Sequence, residues 1–190
     1  MIPHHLAIEL TDFGNVAVAG PMAAVMAAWL WFTGQRVLAG ILALNMGCAV
    51  AATVVLKEVS RTLGGEFYGT PLQLSTGAPS GHAVMSMVTY GALGVLFAVG
   101  SRGSLRVLAV ALAGLLIVGV AVTRVTLHAH TPADVATGLI LGGAFTALTA
   151  VAARHTRGAW PAMTPLLIGV AVVALAMQVS GLRLTSADFM

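Results

Sequence analysis

Residues 107–134 read VLAVALAGLLIVGVAVTRVTLHAHTPAD. From Val107 to Val122 no charged side chain appears, and then Arg124, His128, His130 and Asp134 follow in quick succession. An apolar run of that kind has helical reach, because crossing about 30 Å of hydrocarbon takes about 20 helical residues. Polar chemistry begins where the run stops, as it does at a membrane surface.

The rest of the chain has the same character. Of its 190 residues 58% are hydrophobic and 8% charged, and the mean hydropathy is +0.97. A soluble domain carries about one-quarter charged residues, so an ordinary soluble fold is excluded. Inside a bilayer only helices or closed barrels satisfy their own backbone groups, and the apolar runs here are helical in length. Spans are expected at Val16–Phe32, Val37–Leu56, His82–Val99, Val107–Val122, Ala133–Ala153 and Ala162–Leu182. The expected architecture is therefore all-α: a polytopic membrane protein, a six-transmembrane-helix bundle forming a single domain over residues 1–190. The first span carries Pro21 and the fourth is short, which calls for tilt or local thinning of the bilayer. The net charge of +3 is too small to point to nucleic acid.

Six spans put the amino terminus, the 57–81 and 123–132 connections and the carboxyl terminus on one side. The opposite connections hold Arg36, Arg102, Arg106, Arg154 and Arg157 with no acid, the basic excess expected of cytoplasmic loops. Both termini and the histidine motifs are then expected on the outer side of the cell membrane. A cleavable leader is not expected, because Glu9 and Asp12 precede the first apolar run and no basic segment does. Cys48 stands alone in mid-span and can form no intrachain disulfide. Gly138 and Gly142 would let two helices approach closely, within the bundle or, as the other reading, across a homodimer. The long connection Lys57–Ala78 invites a lid or interfacial segment carrying Leu63, Phe67, Tyr68 and Leu72.

Two clusters carry chemistry. In Pro79-Ser80-Gly81-His82, Ser80 can cap the third span while Gly81 and His82 occupy its first turn. The N–H groups and positive dipole end then face the aqueous boundary, an anion site, although the same residues would also serve a plain turn into a helix. A histidine at that boundary can lend a proton near neutral pH. In Thr131-Pro132-Ala133-Asp134, Thr131 reads as an N-cap, Pro132 as the first helical residue and Asp134 as a capping-box acid. Asp134 also follows His130 by four residues, close enough to hold one ring nitrogen and leave the other as a nucleophile. Arg124 at the outer end of the fourth span offers a fork of donors that suits phosphate. His4, His5, His128 and His155 read as solvent or headgroup residues.

The pairing of Pro79-Ser80-Gly81-His82 with Arg124-x5-His130-x3-Asp134 resembles the type-2 phosphatidic acid phosphatase superfamily of membrane lipid phosphatases. The resemblance implies that His130 attacks phosphorus, Asp134 orients His130, and His82 protonates the leaving oxygen. It also implies that Arg124, Ser80 and Gly81 cradle the phosphoryl oxygens, with no metal and no cofactor. The family's first motif is a lysine, six residues, then Arg-Pro. Here Lys57 is present, but Gly64 and Gly65 stand where the Arg-Pro pair belongs, and Thr123 replaces a common serine. Arg61, four residues after Lys57, is the substitute expected if the second helix runs on that far; its other reading is a surface arginine paired with Glu58 or Glu66.

Function classes follow in order. A lipid phosphate or diphosphate phosphatase comes first; its partners are membrane lipids and a substrate such as undecaprenyl diphosphate, phosphatidylglycerol phosphate, phosphatidic acid or lipid A phosphate. A transporter is weakened because the ionisable residues gather at one interface. A silent lipid-binding relative is kept open by the incomplete first motif.

Overall fold

The structure, a computed structural model, describes residues 3–67, 74–156 and 160–180. Every regular element among them is an α-helix: α1 His4–Asp12, α2 Val16–Phe32, α3 Arg36–Phe67, α4 Gly81–Gly100, α5 Gly103–Thr126, α6 Pro132–His155 and α7 Thr164–Ser180. Five stretches are long and apolar enough to cross a membrane, His4–Phe32 counted as one, and α7 is a shorter apolar helix. Each expected span thus returns as a helix of a multi-pass membrane bundle.

Two elements differ from expectation. The helix α1 was not foreseen, because nine residues reading HHLAIELTD are too few and too polar to count as a span. Its signal was the spacing of Ala7 and Thr11, which are buried on one face while His4 and His5 stay exposed. The helix α3 is far longer than its apolar run, at 32 residues, or roughly 48 Å at 1.5 Å per residue. Nothing between Glu58 and Thr62 breaks a helix, so the backbone continues where the hydrophobic segment ends. Much of the connection after Lys57 is therefore helical. Leu63 is exposed on this extension, whereas the Phe67 side chain, Tyr68 and Leu72 lie outside the described residues.

The helix α4 is the centre of the bundle. In its most apolar stretch 61% of residues are buried, against 22% in α5 and in α6. Tyr90, Leu96 and Phe97 of α4 are buried in one core with Met26, Leu30 and Leu42. Small residues set the α4–α6 seam: a Cβ on Gly142 would lie 2.8 Å from the Val84 carbonyl oxygen, and one on Gly91 would lie 2.6 Å from Thr146 Oγ1. Both Gly138 and Gly142 are used up within the molecule, the packing role that lipid-embedded helices need in place of a hydrophobic force. Asn45 of α3 donates to Thr149 Oγ1 at 3.0 Å and to the Phe145 carbonyl at 3.1 Å, tying α3 to α6. Large side chains such as Leu115 and Val118 of α5 point outward, where lipid would meet them.

Candidate active site

The start of α4, the end of α5, Lys57 on α3 and the α1–α2 corner surround an open cavity of about 590 Å³. Local rules explain how the sequence spacing builds it. The helix α5 ends with Leu127 N–H on the Thr123 carbonyl, and His128 takes a left-handed φ of 55° that turns the chain back. The N–H groups of Ala129 and His130 then donate to the Arg124 carbonyl at 3.1 and 3.2 Å. Five intervening residues are what this reversal needs, so Arg124 and His130 are fixed to one backbone oxygen.

The next residues start α6 by the expected capping box. Thr131 Oγ1 accepts from Asp134 N–H at 3.1 Å and Asp134 Oδ2 accepts from Thr131 N–H at 3.0 Å, with Pro132 in the first turn. Asp134 is fully buried. His130 Nδ1 lies 3.5 Å from Asp134 Oδ2, beyond a firm hydrogen bond, and Nδ1 has no partner. The carboxylate is already engaged: Ser75 donates its N–H to Oδ1 at 2.8 Å and its hydroxyl to Oδ2 at 2.6 Å. The sequence reading did not single out Ser75. Its one signal was a position in the long connection, five residues before Ser80.

The second cluster is stitched to the third through Ser80 N–H, which donates to the Asp134 carbonyl at 2.9 Å. Gly138 allows this closeness, since a Cβ there would lie 2.7 Å from the Ser80 carbonyl oxygen. Ser80 stands at the N-cap of α4, but its buried hydroxyl makes no cap bond and has no partner. The side-chain cap expected of Ser80 is thus corrected: its backbone extends out of the helix and its hydroxyl is left to bind something else. The first N–H groups of α4 have no intrahelical acceptor, and Lys57 Nζ sits 3.8 Å from where a Cβ on Gly81 would be. A side chain at 81 would stand between that ammonium and the helix terminus.

Lys57, Gly81, His82, Arg124 and His130 all line the one cavity. Arg124 Nη1 donates to Thr11 Oγ1 at 3.2 Å, and its Nε is buried without a partner. Arg61 is not brought to this group. The helix does run on past Lys57, as that expectation required, yet Arg61 Nη1 pairs with Glu58 Oε2 at 3.3 Å on an exposed face, with side chains 49% and 60% accessible. Glu58 offers a carboxylate within one turn, and Arg61, although one turn beyond Lys57, is not among the residues that line the cavity. His4, His5, His128 and His155 are exposed.

The His130 ring is held below its ordinary imidazole range, first by burial and then by the Arg124 cation. Asp134 pulls the other way, and Lys57 adds to the lowering. A neutral ring with one free nitrogen is a competent nucleophile. Among the described residues no three His, Cys, Asp or Glu side chains are grouped to hold a metal ion.

No curated protein and no solved structure matches the chain. A family model, that of the PAP2 superfamily, matches residues 38–157. The matched stretch runs from the start of α3 through α6 and contains every residue of the two clusters. The chain therefore belongs to the PAP2 superfamily, a family of phosphatases acting on phosphate esters.

Proposed function

We propose that the protein is a metal-independent phosphatase of membrane lipids, hydrolysing a lipid phosphate or diphosphate through a phosphohistidine at His130. The observation that carries this reading is the composition of the cavity's lining. It combines Lys57, Gly81, Arg124 and the two histidines with the apolar Val50, Val54, Ile8, Val16 and Met85. Val50, Val54 and Lys57 fall at helical spacing along α3, so a phosphate held by Lys57 leaves an attached chain lying against an apolar wall. An amphiphile fits such a lining.

In the proposed reaction the free nitrogen of His130 donates its electron pair to phosphorus while the phosphorus–oxygen bond to the leaving group breaks. His82 gives its proton to that leaving oxygen, and a phosphate dianion beside the ring favours the protonated form that this needs. Water then attacks phosphorus, passing a proton to His82, while the phosphorus–nitrogen bond breaks and returns its electron pair to the ring, so that inorganic phosphate leaves with His130 regenerated. Arg124, Lys57, the Ser80 hydroxyl and the α4 terminus neutralise the phosphoryl oxygens, where most of the rate acceleration of phosphoryl transfer arises. Asp134 orients His130; a small rotation of the ring would close the 3.5 Å gap, as apo contacts often tighten on substrate binding.

The basic connections at the far end favour a cytoplasmic position for that end and an outer position for the site. Recycling of a polyprenyl diphosphate carrier or dephosphorylation of outer-leaflet glycerolipids both suit this orientation. Purified protein in detergent, offered undecaprenyl diphosphate, phosphatidylglycerol phosphate, phosphatidic acid and lipid A, should release inorganic phosphate from at least one. Release should persist in chelator and be inhibited by vanadate; release that returned only with a divalent ion would overturn the mechanism. In a Cys48→Ala background, a cysteine at His128 should react with an impermeant thiol reagent from outside and one at Arg102 only after permeabilisation.

A further inference from the structure

The helix α1 and the corner at Gly14 lie outside the matched residues 38–157. They nevertheless form one wall of the cavity, through Ile8, Thr11, Asp12 and Gly14. The fit there is tight: a Cβ on Gly14 would lie 2.6 Å from Val120 Cγ1, 2.9 Å from the His82 carbonyl oxygen and 3.0 Å from His82 Cβ. Only a residue without a side chain lets the corner press on the first turn of α4.

Contacts from three helices hold α1 in place. Tyr90 of α4 donates its hydroxyl to the Phe13 carbonyl at 2.7 Å, and Gln178 of α7 donates to the Glu9 carbonyl at 3.0 Å. Leu10 packs over Gly119 of α5, where a Cβ would lie 3.0 Å from Leu10 Cδ2. So anchored, α1 presents the buried Thr11 hydroxyl to Arg124 Nη1 at 3.2 Å. A hydrogen bond to one arm of a planar guanidinium restrains how its plane can turn. The buried Nε, which has no partner, is thereby left as a directed donor for a ligand oxygen. The carboxylate of Asp12 lines the same cavity and acts electrostatically on Arg124.

We propose that α1 is a working part of the anion site, in which Thr11 is a positioning residue for Arg124 and Asp12 tempers the grip on doubly charged inorganic phosphate. The inference rests on the phosphatase reading, in which that ion is the product. A site with several cations and a helix terminus would hold its product tightly, and a carboxylate in the wall weakens the hold and speeds release.

The test is titration calorimetry of the full-length protein in detergent with inorganic phosphate, which needs no turnover. Wild type should bind phosphate, Thr11→Val should bind it roughly tenfold more weakly, and Thr11→Ser should recover most of the loss. Asp12→Asn should bind about threefold more tightly. Wild-type affinity in Thr11→Val, or no phosphate binding by wild type, would overturn the proposal. Equal losses in the valine and serine variants would reduce Thr11 to a packing role and overturn it too. Should Thr11→Val not fold, an unchanged affinity in Asp12→Asn overturns it, and a tighter one supports it. Wild type that binds phosphate but releases none from the four lipids would instead break the phosphatase reading and leave the anion site standing.

Discussion

Around the cavity several polar side chains reach across the chain, while at the tips of the opposite helix ends they reach back one turn. Arg124 meets Thr11, Ser75 meets Asp134, and Tyr90 meets the Phe13 carbonyl, contacts 113, 59 and 77 residues apart in sequence. At the far end Thr33, Ser101 and Thr156 donate to the carbonyls of Trp29, Phe97 and Ala152, each four residues back. Bonds of the second kind finish a helix and say nothing about its neighbours. Those of the first kind fix several helices relative to one another, at the cost of ordering each partner; around the cavity they hold in place the atoms a reaction needs, and away from it Asn45 and Thr149 use one to tie α3 to α6. The comparison teaches that the polar residues of the cavity are positioned by partners distant in sequence, whereas the opposite helix ends are finished locally.

The largest effect should come from the nucleophile. His130→Ala should lower phosphate release by roughly a thousandfold or more, since losing the attacking atom removes the covalent route altogether. Its thermal unfolding should be unchanged, and near-normal turnover would empty the cavity end of its proposed meaning.

Ser75→Ala tests the long-range stitching itself. A hydroxyl bond to a buried carboxylate is worth about 1.5–3 kcal/mol, so turnover should fall roughly ten- to a hundredfold. A loss under about threefold would show that the capping box and the Ser75 N–H hold Asp134 without the hydroxyl, and the contrast between the two ends would weaken.

The pH dependence sharpens the same contrast. His130 is held below its ordinary range, and only its neutral form attacks, so activity is present above the folded value and falls as pH drops through it. Lys57 contributes to that lowering. Replacing it by methionine removes a positive neighbour, makes the imidazolium easier to form, and should move the acid limb of the kcat/KM profile to higher pH. An acid limb that stayed put or moved down would refute the assignment of that limb to His130.

The smallest effects are expected where bonds are local. Arg61→Ala should change the rate less than threefold, because an exposed pair with Glu58 contributes within about 0.5 kcal/mol; a hundredfold loss would show that substrate draws Arg61 into the cavity. Ser101→Ala should leave turnover unchanged, its hydroxyl being engaged only with Phe97 of its own helix.

Much of this was legible without a structure because it is local. The six apolar spans and the capping box at Thr131 and Asp134 depend on length, spacing and order along the chain, whereas the grouping of Lys57, His82, Arg124 and His130 was what the family resemblance implied. A membrane forces apolar residues into runs, and a helix end forces particular residues into particular offsets, so both leave periodic traces. The residue Arg61 marks the limit of such reasoning. Spacing placed it one turn from Lys57, but whether its guanidinium turned to the cavity or to Glu58 depended on what stood on either side.

Only the tertiary structure decided the partners of Ser75, Thr11 and Gly14. A serine, a threonine and a glycine are common in any connection, and a contact formed across 59 or 113 residues imprints no period on the sequence between. Their roles arise because α4, α5 and α6 converge at one level and α1 folds over them, which brings backbones that are strangers in sequence to within a hydrogen bond. The sequence by itself determined what the helices are and where their polar ends lie. How those ends were joined was settled by differences of a kcal/mol or so between competing partners, about the worth of one hydrogen bond, and such differences exist only once the helices are packed.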